Sequence, residues 1–213
     1  MYPLPFAQME ARTGQPDRDN HFLHTNVFLR HASGSSGEAE HYVETILTQA
    51  AVARRRVWVS TILFAQLRPS MFVPGRFDTL RDLTRYIRSL ATLVTPDPNV
   101  MLRVARLRDA KWQRPAEVRD PDEKPRTMSF GDAVEIASAL WVKEAAGVKD
   151  LKFLMFDDLS STDAGSGGRL SLLRLQDYAQ DARANSDVMA AVRLTRMQPQ
   201  ARANSIPQSA PAG

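Results

Sequence analysis

Apolar residues fall in two spacings along this chain. Short continuous runs, VWVST (Val57 to Thr61), TLVTP (Thr92 to Pro96) and KFLMF (Lys152 to Phe156), have the length and the β-branched or aromatic content of buried strands. Between them the apolar positions recur every three or four residues. Val43, Ile46, Leu47, Ala50 and Ala51 share one helical face, Leu80, Leu83, Ile87 and Leu90 a second, and Val100, Val104 and Leu107 a third. Asp97-Pro98 opens the third of these helices. Ser129 stands where an N-cap is expected for the Ala-rich stretch DAVEIASALWVKEA, whose small side chains suit close packing on a sheet.

The chain starts this alternation with HFLHTNVFLR (His21 to Arg30), read as a strand that gives way to a loop at Thr25-Asn26. LSLLRL (Leu170 to Leu175), after the Gly-rich turn at Gly165 to Gly168, is a candidate fifth strand. Strands that are apolar throughout and separated by helices predict an α/β fold, with a mostly parallel central sheet of four to five strands and helices on both faces. Residues 1–20 and 182–213 lack this periodicity and read as a flexible N-terminal segment and a poorly ordered C-terminal tail, the latter carrying one short helix near Asp187 to Arg196. The folded domain is placed at residues 21–181.

Composition narrows the chemistry. The 213 residues are 43% hydrophobic and 24% charged, an ordinary globular balance, so wholesale disorder is excluded. The absence of Cys excludes disulfides, thiol nucleophiles and Cys-based metal sites. No run approaches the length of a membrane span and MYPLPFAQME is no signal peptide, so a cytoplasmic protein with no membrane partner is expected. A net charge of +4 is compatible with a polyanionic partner without requiring one. No G-x-G-x-x-G follows the first strand and no phosphate-binding G-x-x-x-x-G-K-[ST] occurs, which argues against a nucleotide site.

In a sheet of this type ligands bind beyond the carboxyl ends of the strands. Four polar residues fall there: His24 after the first strand, Gln66 in the helix after the second, Asp132 at the start of the Ala-rich helix and Asp157 after KFLMF. Each has an ordinary structural explanation. His24 can be a hydrogen-bonded strand end, Gln66 a surface residue, Asp132 a partner of the helix dipole, and Asp157-Asp158 a turn.

The four segments, in order, resemble those of PIN-domain ribonucleases of the toxin type. FLHTNVFLR is similar to the family's opening signature, with His24 in place of its first Asp. VSTILFAQL is similar to its second strand and helix, with Gln66 in place of Glu. SFGDAVEIASAL matches the Asp-Ala helix through Asp132, and FLMFDD fits the last acidic residue through Asp157. The resemblance implies a PIN-like fold over about residues 21–175 and clustered carboxylates that hold Mg²⁺ or Mn²⁺ to hydrolyse RNA. It further implies RNA as a partner, an antitoxin protein that covers the site, and a homodimer.

Asp132 and Asp157 would be metal ligands, with His24 and Gln66 at altered catalytic positions. With two of four acids gone, the formal carboxylate charge halves, and two-metal chemistry loses its electrostatic basis. Glu135, one helical turn beyond Asp132, and Asp158 are the nearest compensating acids. The expected function is a PIN-domain endoribonuclease with weakened activity, natural or altered to blunt toxicity; the alternative is a catalytically inactive PIN-like module that binds nucleic acid or protein.

Overall fold

A computed structural model describes residues 19–34, 37–67, 77–156, 170–179 and 185–199. Among them, five strands form one sheet: β1 (Asn20–Leu23), β2 (Arg56–Ser60), β3 (Ala91–Val94), β4 (Leu151–Leu154) and β5 (Thr195–Met197). Their order is β3-β2-β1-β4-β5 and every pairing is parallel. Seven α-helices connect them: α1 (Thr25–Ala32), α2 (Glu38–Ala51), α3 (Ile62–Gln66), α4 (Leu80–Leu90), α5 (Pro98–Asp109), α6 (Phe130–Glu144) and α7 (Ser186–Arg193). The architecture is the α/β arrangement expected from the alternating pattern and is consistent with a PIN-like fold.

Both faces of the sheet are buried because successive strand residues point to opposite sides. Phe22, Trp58, Leu151 and Phe153 enter the core shared with α5, α6 and α7. Leu23, Val57, Val59 and Leu154 enter the core shared with α1, α2, α3 and α4. Phe22 and Phe153 are register partners on β1 and β4 and stack with ring centroids 5.5 Å apart. The Ala-rich helix α6 is buried along most of its length, and its Ser138 hydroxyl shares a 3.2 Å hydrogen bond with Ser60 at the end of β2. Small residues on this helix let its backbone approach the strands closely.

Three local expectations are corrected. Thr25-Asn26 does not begin a loop; α1 starts at Thr25, directly after β1. His24 supplies the missing cap, since its extended backbone (φ −66°, ψ 149°) and its Nδ1, which accepts from Asn26 N–H, satisfy the helix start. The face bearing Val27, Phe28 and Ala32 then buries against the core. LSLLRL is not a strand either. Its Leu170, Leu172 and Leu175 are buried, but they pack as irregular chain leading into a 3₁₀ turn at Leu175–Tyr178.

The fifth strand comes from residues that the sequence assigns to the C-terminal tail. β5 pairs along β4 through Lys152↔Thr195 and Leu154↔Met197, and α7 before it buries Val188 and Ala191. The folded unit therefore extends past residue 181 to at least Gln198. Its signal is weak because the strand has only three residues, TRM, and none is fully buried. What secures it is the nonlocal pairing with the open edge of β4, to which the Arg196 guanidinium adds a local tie by donating to the Ala191 and Val192 carbonyls at the end of α7. No described helix is long and apolar enough to cross a membrane.

Candidate functional site

The strand order reverses direction between β1 and β4: from β1 the chain builds outward to β2 and β3, and the later strands add on the other side. A crevice at the carboxyl end of such a switch point is where open α/β sheets place ligands. His24 follows β1 at the carboxyl end of the sheet, at this switch point. Its backbone N–H donates to the Leu154 carbonyl on β4 at 3.0 Å, so the residue after β1 is held to the neighbouring strand. Asn26 extends the clamp, donating from its side-chain amide to the Phe156 carbonyl and accepting the Phe156 N–H at Oδ1 over 3.2 Å.

Helix α6 leads into β4, a strand parallel to β1, so it brings its N-terminus to this same rim. Ser129 caps it, accepting the Asp132 N–H at 3.1 Å, and turns the first carboxylates inward. His24 Nε2 lies 3.0 Å from Asp132 Oδ1 and 3.0 Å from Glu135 Oε2. Both Glu135 oxygens also accept from the Thr25 N–H, at 3.0 and 3.2 Å, and Oε1 accepts from the Thr25 hydroxyl. His24, Asp132 and Glu135 are 5%, 4% and 1% exposed, so solvent does little to screen this trio.

That geometry sets the proton inventory. Burial alone lowers the imidazole pKa, but the Glu135 charge and the hydrogen bonds to Asp132 and Glu135 more than reverse it, pushing His24 up to about 10. The Asn26 N–H aimed at Nδ1, 3.1 Å away, suits the neutral ring and acts against this shift. Two buried carboxylates at 3.0 Å outweigh one backbone N–H contact, so the direction is upward. In this geometry Nδ1 accepts from Asn26, and the ring's donor is the Nε2–H held between the two carboxylates. Its Nε2 proton is committed between the carboxylates, which leaves no proton acceptor or donor of His24 directed at a ligand outside.

The described residues do not fit the divalent ion that the resemblance implies. Among them, no group of three or more His, Asp or Glu side chains is arranged to hold a metal. The reason is visible at Glu135, whose oxygens are taken by Thr25 and His24, and at His24, whose Nδ1 serves the α1 cap. Hard cations need oxygen donors with free lone pairs, and here a proton occupies the place between the two acids.

Of the four residues singled out in the sequence, His24 and Asp132 are in direct contact. Gln66, at the end of α3, lies against the residue next to Asp132: a Cβ added at Gly131 would sit 2.1 Å from Gln66 Nε2. Asp157 and its neighbour Asp158 lie outside the described residues. Glu135 is a full member of the site, and its three-residue spacing from Asp132 on one helical face was the signal for it. Thr25 is the residue that sequence reasoning passed over, because a threonine after a strand carries no chemical signature until its N–H and hydroxyl are seen on a carboxylate.

The Arg-rich stretch from Arg103 to Arg114 is largely spent on structure. Arg103 pairs with Asp187 and Glu144, Arg106 with Asp187, and Arg114 with Glu123. The Asp187 and Glu144 pairs fasten α5 to α7 and α6, and the Arg114–Glu123 pair closes the 110–128 segment on itself. No protein-family model matches the chain, and no curated protein is similar to it.

Proposed function

We propose that this chain is a PIN-like protein of endoribonuclease descent in which hydrolysis of RNA is weakened and RNA binding is retained. The observation that carries this reading is the double contact of His24 Nε2 with Asp132 and Glu135, each at 3.0 Å. The Nε2–H fills the place between the two carboxylates where a cation would otherwise bind. The same side chain keeps the site folded, as the cap of α1. Phosphodiester hydrolysis depends on activating a water and stabilising the charge that develops on the leaving oxygen. The Nε2–H of His24 and both oxygens of Glu135 are committed to partners within the site and are not free to do either.

A cleavage assay tests the reading. The full chain and a double variant, His24→Asp with Gln66→Glu, are compared on single-stranded RNA in Mg²⁺ and in Mn²⁺. The expected result is little or no cleavage by the natural sequence and a gain of at least about tenfold in the double variant, more than 1.4 kcal/mol of transition-state stabilisation. A properly folded double variant with no gain would remove the nuclease descent from consideration.

A further inference from the structure

Two arginine–phenylalanine pairs lie on segments that carry the trio, and one of the rings, Phe130, belongs to neither core cluster. Phe130 is the first residue of α6, two positions before Asp132, and is 45% exposed. The Arg108 guanidinium, at the end of α5, lies over its ring at 5.6 Å. Among the described residues Arg108 has no carboxylate partner, unlike Arg103, Arg106 and Arg114 around it. Phe156, the residue clamped by Asn26, carries the Arg30 guanidinium over its ring at 4.3 Å. Arg30 is half exposed and also reaches Glu40 at 2.9 Å, so it is less available than Arg108.

Phe156 is tied through Asn26 to the His24 end, and Phe130 is joined through Gly131 to Asp132. A polar residue at the first turn of α6 would leave less apolar surface in water, since Ser129 already supplies the cap. An exposed aromatic face beside an arginine fits a base with its phosphate: the ring offers stacking, and the guanidinium offers both a flat cation for the base and charge for the backbone.

We infer that Phe130 and Arg108 form a nucleotide-stacking subsite at the rim, and that the ligand is a single-stranded nucleic acid whose bases are unpaired. A duplex hides its base faces, so it would gain only the phosphate contacts. The inference rests on the nucleic-acid reading given above.

Anisotropy of a labelled RNA of roughly 12 nucleotides, free or annealed to its complement, measures this with the full chain. The natural sequence is expected to prefer the single strand. Phe130→Ala should weaken single-strand binding about fivefold or more and leave duplex binding unchanged, Arg108→Gln should weaken single-strand binding as much and duplex binding less, and Phe130→Trp should preserve both. Both positions are exposed, so unaltered melting temperatures check the fold of each variant. If the natural chain binds the single strand and the two weakening variants bind it equally well, the subsite is overturned while RNA binding stands. Equal losses on single strand and duplex overturn the stacking assignment. Binding of neither RNA, even at low salt, overturns the nucleic-acid reading itself.

Discussion

Asn26 and Phe156 are 130 positions apart in the chain, and one side-chain amide holds them together through both of its polar ends. The contact ties the first turn of α1 to the chain leaving β4, across the crevice that the strand order opens. Asn26→Ala removes a donor and an acceptor at once and leaves the Phe156 N–H and carbonyl to find water at a partly buried site. The expected cost is about 1–3 kcal/mol in urea unfolding. A loss below about 0.5 kcal/mol would mean that the clamp contributes nothing beyond ordinary surface contacts.

His24→Asp replaces the Nε2–H donor that lies between two carboxylates by a third acid. Asp remains a good N-cap for α1, so the helix start is preserved. Three carboxylates then share one buried site and repel, and the variant is expected to melt below the natural protein in EDTA. Addition of Mn²⁺ at ~5 mM should raise its melting temperature by several degrees, as binding to the native state requires, with a much smaller response from the natural sequence. Equal responses would show that His24 does not stand in place of a cation.

Two histidines give opposite pH dependences. His21 is fully buried in β1, and neither ring nitrogen has a hydrogen-bond partner among the described residues. Burial, reinforced by the nearby Arg55 charge, lowers its pKa to about 4. The unfolded chain therefore binds the extra proton between about pH 6.5 and 4, and stability falls as pH drops through that window, by up to about 3 kcal/mol. His24, raised to about 10, contributes stability that is present below 6.5 and is lost as pH rises toward 10. Urea titrations across pH should show both limbs, the acid limb flattening in His21→Leu and the alkaline limb in His24→Asn.

Gly131 and Gln66 should be energetically coupled. An alanine at 131 would place its Cβ 2.1 Å from Gln66 Nε2, so the amide must swing away. Gly131→Ala in a Gln66→Ala background should instead stabilise α6 by up to about 1 kcal/mol, through helix propensity. A double-mutant cycle with a coupling of at least about 0.5 kcal/mol is expected, and additivity would place Gln66 off the site.

Truncation after Asp181 keeps every segment that the sequence assigns to the folded domain, but it deletes α7 and β5. Val188, Ala191 and Leu194 then leave the core, and the buried Asp187 no longer neutralises Arg103 and Arg106. Loss of a cooperative unfolding transition is expected, read by circular dichroism during urea titration. A truncated chain that unfolds as cooperatively as the full one would return the domain boundary to residue 181.

What the sequence determined by itself was whatever a local period or cap encodes. The apolar runs of β2, β3 and β4, the helical faces of α2, α4 and α5, and the Ser129 and Asp97 caps are all readable within a dozen residues, because each records which side of one element meets the core. Tertiary structure decided everything that depended on a distant partner. β5 exists because β4 has an edge to fill, LSLLRL is not a strand because its leucines are buried without one, and Thr25 belongs to the site because Glu135 arrives from 110 residues away. His24 shows both sides of this division: its position after β1 marked it as a site residue, while its role as a proton bridge between two carboxylates required the fold to bring them to it.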